Sequence, residues 1–493
     1  MKHLFRNKLS LALILSVLLL FTLGGCGSGG EDTISEDVTP NEVNPGDINW
    51  DFYNQRAEEF VTAIARSDFE AAVGMFDETM AALIDAEALQ AMWEEDIIAI
   101  AGAFITIHEI ENVVVDEFYI SGVIMRHESS GLGWNIIFSE DGLIAGLSTA
   151  GIIPLPADVG NGQAADGPIQ REGFVDYPIV IGEGTAFPLD GILSMPDDVT
   201  GPVPAVVIVH GSGANDMDGT MPGAGNTPYR DIAEFLAANG IAVIRYDKRT
   251  FTHGLQMMEE LGGSFTVWEE SIEDALLAAE MLRADPRIDA DRTYLVGHSL
   301  GGILAPRIHT KGGDFAGLVL MGATPRPFLE VLIEQTRASI STAIEEGLVE
   351  EKDMADMLVE LDQLAELSDA LADMPSDTAK ETPVPMLGGS TMAYYFKDLM
   401  VHAFENYAQN ITAPILVMQG GRDFQILADV DFALFQEIFA GQDNVTFRLY
   451  EDLNHSFIPT TAENFIEHAE SIMEPGHVYT PALRDIVDWI LGR

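Results

Sequence analysis

From residue 205 onward, short runs of β-branched and apolar residues alternate with helical stretches, and this alternation leaves few folds open. The runs AVVIVHGSG, IAVIRYD, TYLVGHS, GLVLMGA, PILVMQG and VTFRLYE read as strands. Residues 228–239, 267–283, Leu300–Ile308 and 481–491 carry the helical period between and after them. Strands that are apolar along their whole length must be covered on both faces. Helices on both sides of a mostly parallel sheet do this, so the fold class is α/β. Two further strand-like runs, 175–181 and 189–195, precede the series. Between GLVLMGA and PILVMQG the pattern is interrupted by 325–412, a helical stretch rich in Met, Leu and acids. Connections in such sheets are usually a few residues long. This one reads as a lid inserted over the carboxyl edge, where α/β proteins build their sites.

A length of 493 residues exceeds one compact core, and the segment before 175 differs in character. Lys2, Arg6 and Lys8 lead into an apolar run over 9–23, then Leu23-Gly24-Gly25-Cys26. The run is too short to span a bilayer and reads as an export signal. Its end resembles the bacterial lipobox, in which the cysteine is lipidated. Residues 1–26 are then a lipoprotein signal, and Cys26 anchors the chain to the outer face of the cell membrane. The alternative is an ordinary export signal with a chance cysteine. Cys26 is the only cysteine, so no internal disulfide forms. Residues 27–48 form an acidic, flexible tether with few large apolar residues. Residues 49–150 read as a small α+β domain. Helices are expected near Phe60 and over 69–84 and 86–100, then strands over 103–115, 117–126, 134–138 and 143–147. His108 and His127 fall in its strands and read as exposed or satisfied rather than as ligands. Residues 151–172, rich in Gly and Pro, read as a linker, and 173–493 as the second domain.

The charge is extreme, with 25 basic against 79 acidic residues and a net charge of −54. Binding to nucleic acid is disfavoured at such a charge. The acids are spread along the chain, so they read as a solvated surface suited to a saline or alkaline exterior.

The chemistry centres on Gly297-His298-Ser299-Leu300-Gly301. A strand turning sharply into a helix presents Ser299 above the sheet, and the small neighbours avoid backbone clashes. The helix starting at Leu300 aims free N–H groups at the site, so the Leu300 N–H is one candidate oxyanion donor. The loop after AVVIVH, Gly211-Ser212-Gly213, supplies the Ser212 N–H as the second. Asp216-Met217-Asp218-Gly219 faintly resembles a calcium loop but lacks the downstream bidentate acid, so no metal is expected. A serine needs a base, and the base an orienting acid. In this architecture the order is Ser, acid, His. Asp423 in GGRD follows one strand and His455 in NHSF follows the last. Asp429 and Asp431 are backup acids and His477 a backup base, while His298 reads as structural.

Together HGSG, IRYDKR, GHSLGG, QGGRD and NHSF resemble the α/β-hydrolase superfamily. Within it they are similar to bacterial serine esterases related to dienelactone hydrolases and prolyl aminopeptidases. The resemblance covers about 175–493 and implies carboxylester hydrolysis through an acyl-enzyme. It maps the nucleophile to Ser299, the acid to Asp423, the base to His455 and the oxyanion donors to Ser212 and Leu300, with no cofactor or metal. The implied partner is a small acyl ester. The first domain resembles the cone-shaped domain, like nuclear transport factor two, found ahead of secreted bacterial hydrolases. Peptidases and thioesterases share the superfamily, so an exopeptidase, amidase or thioesterase is the alternative chemistry. A non-catalytic binding lipoprotein is the alternative of another class. Tyr394, Tyr395 and Phe396 in the insertion read equally as an acyl pocket or as lid core.

Overall fold

The computed structural model describes residues 48–493 apart from 78–79, 82–83, 99–101, 116–117, 128–130, 154–166, 198, 222–224, 385–390, 473 and 493. The expected export signal, Cys26 and most of the tether lie outside the described residues. Two compact units divide the chain, one ending at Ala157 and the other beginning at Asp158.

In the first unit, helix α1 (Trp50–Ala65) buries Tyr53, Ala57, Phe60, Val61 and Ile64, a single face at helical spacing. Asp68 accepts from the Ala71 N–H and Asp85 from the Ala88 N–H. They cap the short helices α2 (Phe69–Val73) and α3 (Ala86–Ala91). Strands β1 (Phe104–Val115), β2 (Phe118–His127), β3 (Gly131–Phe138) and β4 (Ile144–Ile153) form an antiparallel meander in chain order. Phe60, Trp93, Trp134 and Phe138 meet between helices and sheet. The helix expected over 69–84 stops at Val73. Met75 and Asp77 exchange backbone hydrogen bonds with Ile144 instead, at 2.9 Å each. The sheet therefore takes the donors and acceptors that a longer helix would have used. Beyond Ala91 the third helix continues as a wider π-turn, Met92–Ile97.

The second unit is a nine-stranded sheet in the order β13-β12-β11-β10-β8-β9-β7-β6-β5. Its strands are β5 (Ile169–Gln170), β6 (Phe174–Ile181), β7 (Leu189–Pro196), β8 (Val203–Val209), β9 (Ala242–Tyr246), β10 (Ile288–His298), β11 (Leu318–Met321), β12 (Ile415–Gly420) and β13 (Val445–Tyr450). From β9 to β13 every neighbouring pair is parallel, and β5, β6 and β7 add antiparallel pairings at the other edge. Strand β5 lies inside the expected linker, where two residues are too few to show a period. Helices α4 (Pro228–Ala238), α5 (Arg249–Leu261), α6 (Glu273–Ala284) and α7 (Leu300–Ile308) connect the first strands. The 325–412 insertion holds α8 (Phe328–Glu345), α9 (Ala355–Ala370), α10 (Ser376–Glu381), α11 (Ala393–Val401) and α12 (Glu405–Ala408). Helix α13 (Ala433–Ile438) precedes β13, and α14 (Phe465–Ser471) and α15 (Thr480–Leu491) close the chain.

Strands β8, β9, β11 and β12 are buried at every position, as their unbroken apolar runs require. One face packs with α6, α7 and the insertion, the other with α4 and α15. No helix among the described residues is long and apolar enough to cross a membrane.

Candidate active site

Four loops at the carboxyl ends of β8, β10, β12 and β13 carry the candidate residues. At the end of β10 the chain turns at Ser299, which holds φ 53° and ψ −118°. A non-glycine residue is rarely left there unless its surroundings over-determine it. The Ser299 N–H donates to the Met321 carbonyl at 2.8 Å, tying the turn to the end of β11. A Cβ on Gly297 would collide with the Gly301 carbonyl, and one on Gly301 with the Val209 carbonyl. One on Gly302 would lie 2.6 Å from the Ala323 Cβ. The glycines thus let α7 start against two strands at once, which holds Ser299 out over the sheet.

His455 follows β13 and Asp423 follows β12. The His455 Nδ1–H donates to Asp423 Oδ2 at 2.7 Å, which leaves Nε2 as the basic nitrogen. The same carboxylate accepts from Gln419 Nε2 at 3.0 Å and from the Gln425 and Ile426 N–H groups at 2.9 Å each. Burial pushes the Asp423 carboxyl up, but the adjacent His455 ring, with His468 and the Ile426 N–H, outweighs it and holds it below its ordinary value. Asn454 Oδ1 accepts from the Ser456 and Ile458 N–H groups at 3.0 Å each, which stiffens the histidine loop. Gly322, at φ 55°, clears the ring, since a Cβ there would lie 3.2 Å from His455 Nδ1.

His298 links three of the loops. Its Nε2–H donates to the His455 carbonyl at 2.9 Å, and Tyr229 Oη donates to its Nδ1 at 3.1 Å. The Gly211 N–H donates in turn to Tyr229 Oη at 3.0 Å. Burial, with the His455 ring nearby, lowers the His298 pKa to about 3, so the ring stays neutral and can both donate and accept. A Cβ on Gly211 would lie 3.2 Å from the Ser299 Cβ, so the β8 loop passes directly over the serine. The Ser212 and Leu300 N–H groups, in that loop and at the start of α7, have no acceptor among the described residues.

The profile of a family described as serine aminopeptidase, S33, matches residues 202–459, just over half of the chain. The chain belongs to the serine aminopeptidase S33 family. It is a serine hydrolase with the α/β-hydrolase fold. A second profile, described as a protein of unknown function (DUF3887), matches residues 57–147. Esterase EstD of Thermotoga maritima is 28% identical over 444 residues, spanning 89% of this chain and 95% of that protein. Est1E from Butyrivibrio proteoclasticus is 13% identical, with a TM-score of 0.39 over 64% of this chain and 99% of its own. A puromycin-hydrolyzing peptidase of Mycobacterium tuberculosis is also 13% identical, with a TM-score of 0.40 over 78% of this chain and 48% of its own.

The other sequence candidates lie apart from this S33 site or are committed elsewhere. Asp431 accepts from Thr324 Oγ1 at 2.6 Å and Arg326 Nε at 2.8 Å, so it anchors the start of the insertion. Asp429 is exposed. His477 is 86% exposed and faces Asp231 at 3.2 Å. Asp218 pairs with Arg245 at 2.8 Å and with Arg230, and Asp216 accepts from Thr220. The loop that resembles a calcium site has therefore spent its acids on internal donors. In the first unit His108 is exposed, and His127 Nδ1 donates to the Gly102 carbonyl at 2.9 Å. The insertion aromatics divide: Tyr395 stacks on Phe265 and Phe396 on Phe328 within the hydrophobic core, while Tyr394 is half-buried under Lys380.

A cavity of about 250 Å³ opens between α8 and the loop after β12. Val331, Ala338, Phe424, Leu427 and Phe465 make it mostly apolar, and Glu334 and Glu463 add carboxylates. It borders the loop that carries Asp423. Sequence reasoning missed Tyr229, Gln419 and Gln425. Only Gln419, four residues before Asp423 in QGGRD, had a local signal: an amide at a strand end reaching across the following turn.

Proposed function

We propose that this S33 member is a carboxylesterase working through an acyl-enzyme on Ser299, His455 and Asp423. The observation that carries the reading is the 2.7 Å hydrogen bond from His455 to Asp423, made between loops of adjacent strands in the order Ser, acid, His. Ser299 Oγ adds to the acyl carbon and its proton passes to His455 Nε2. The carbonyl electron pair moves onto oxygen, which the Ser212 and Leu300 N–H groups hold. His455 then returns the proton to the departing alkoxide as the C–O bond breaks. Water repeats the sequence on the acyl-serine and releases the acid. Asp423 keeps the imidazole in one tautomer and stabilises its cation. The Thermotoga maritima relative, named an esterase and aligned over 89% of this chain, supports esters over amides. The Leu23–Cys26 sequence supports anchoring of the exported enzyme to the outer face of the cell membrane through a lipid on Cys26.

The test is hydrolysis of p-nitrophenyl esters of increasing acyl length by the full chain and by Ser299→Ala. Loss of a nucleophile in such a set costs roughly 10⁴–10⁶-fold in kcat, and that loss is the expected result. Equal turnover by both proteins overturns the assignment of Ser299. Faster cleavage of aminoacyl p-nitroanilides than of esters replaces the esterase with an aminopeptidase on the same residues.

A further inference from the structure

A chain of buried polar groups runs from the insertion to the loop above Ser299. On α11, Tyr395 Oη donates to Glu270 Oε2 at 2.6 Å. Glu270 Oε1 pairs with Lys248 Nζ at 2.7 Å, and both side chains are almost fully buried, at 2% and 1% exposure. Lys248 Nζ also donates to the Gly211 carbonyl at 2.8 Å. Neither member of this pair has a part in the ester chemistry. A buried ion pair is seldom a net source of stability, since apolar residues of similar volume often do as well. Its placement is therefore informative.

The Gly211 carbonyl and the Ser212 N–H belong to one planar trans peptide, so they point in opposite directions. Fixing the oxygen on one side fixes the N–H on the other. Glycines at 211 and 213, the latter at φ 82°, leave this peptide little intrinsic preference. Asn215 Nδ2 holds the next two carbonyls, of Ser212 at 2.9 Å and Gly213 at 3.0 Å, and reaches the Gly211 carbonyl only at 3.4 Å, so Lys248 is the shorter donor there; the Lys248 N–H donates to the Asn215 carbonyl at 2.9 Å. Lys248 thus grips the loop through its side chain and its backbone.

We propose that Lys248 is a positioning residue that aims the Ser212 N–H at the oxyanion, and that Glu270 and Tyr395 make this aim depend on the seating of α11. The inference rests on the reading of Ser212 as an oxyanion donor. The lid then acts on the rate step without touching substrate: when α11 is seated, Glu270 is held, Lys248 is held, and the donor points at the site.

The experiment uses the full chain with Lys248→Met, with Tyr395→Phe, and with a triple variant, Lys248→Met with Glu270→Leu and Tyr395→Phe, which leaves no buried charge unpaired and frees only the Gly211 carbonyl. Two quantities are read: kcat and KM on a p-nitrophenyl ester, and affinity for the matching trifluoromethyl ketone, which forms a hemiketal oxyanion on Ser299. Loss of one oxyanion donor costs about 10²–10³-fold, and a misaimed donor should cost about 10–100-fold in kcat with KM little changed. Affinity for the ketone should fall by the same factor in both Lys248 variants, and Tyr395→Phe should show a smaller loss of the same kind. A folded triple variant with wild-type kcat and ketone affinity overturns the proposal while leaving the Ser299 chemistry standing. A loss confined to KM, or to melting temperature with kcat intact, overturns it as well. Failure of the acyl-enzyme reading, on which the role of Ser212 depends, is distinguishable, because Ser299→Ala would then retain turnover.

Discussion

Asp247 stands one residue before Lys248 and has no cationic partner among the described residues. It accepts from the Met217 N–H at 2.7 Å, and Asp190, Asp216 and Asp218 lie nearby. Burial, reinforced by these acids, pushes its pKa up to about 7. A carboxyl raised in the folded state binds its proton more tightly there than in the unfolded chain. Its contribution is therefore most favourable below the unfolded value, near pH 4, and is lost as pH rises through 7. Asn at this position keeps the acceptor for Met217 and removes the charge. Asp247→Asn should raise the melting temperature by about 1–2 °C at pH 8, as about 1 kcal/mol does in a domain of more than 300 residues, and leave it unchanged near pH 4. Thermal unfolding across that range checks this, and equal melting of the two proteins at pH 8 would refute it. The residue scale also explains why Ser299 tolerates its backbone: the space it needs is cleared by Gly297 and Gly301, where a methyl group would meet backbone oxygen.

At the scale of elements, the insertion is attached by ion pairs rather than by continuing the sheet. Arg307, on the helix that follows Ser299, donates to both oxygens of Asp398 on α11, at 2.5 and 3.2 Å. Both side chains are largely buried. Arg326 does the same at the start of the insertion through Asp431. Arg307→Ala leaves the Asp398 carboxylate buried without its partner, a change that typically costs about 3–5 kcal/mol. Removing both with Arg307→Ala and Asp398→Ala should cost less than the single change. Thermal unfolding of the two variants checks the order, and trypsin should cut the single variant sooner at Lys352 and Lys380 within the insertion. A single variant as stable as wild type would show that α11 is held by packing alone.

At the scale of the whole molecule, five of the 25 cations are spent inside. Arg245, Lys248, Arg249, Arg307 and Arg326 each face a carboxylate from a mostly buried position. The net charge of −54 is left chiefly to the surface, where acid repels acid. Screening shortens that repulsion from about 10 Å at 0.1 M salt to about 3 Å at 1 M, while the buried pairs are screened much less. The melting temperature should therefore rise with sodium chloride over that range. A flat or falling curve would mean that the surface charges are already neutralised by their neighbours.

How much of this was legible in the chain follows from the range of each interaction. The strand series from Ala205 to Glu451 was readable because most of its strands are buried on both faces and show themselves in consecutive apolar residues. The turn at Ser299 was readable because its steric needs fall on neighbours two positions away. The order of Ser299, Asp423 and His455 followed from strand ends that could be counted. The helix over 69–84 was misjudged because its backbone is claimed by Ile144, far along the chain. Tyr229 and His298 are 69 residues apart, and Glu270 and Tyr395 are 125. No local pattern marks such partners, since each side chain alone reads as an ordinary core or helix residue. Periodicity by itself pointed to the layers and the insertion, which depend on burial, while the motif around Ser299 and the family resemblance it carries named the candidate groups. Only the tertiary structure decided which carbonyl Lys248 holds, which acids are already taken by arginine, and which way the peptide above Ser299 points. Those outcomes depend on the meeting of distant groups, whose hydrogen bonds form only once the sheet has brought them within 3 Å.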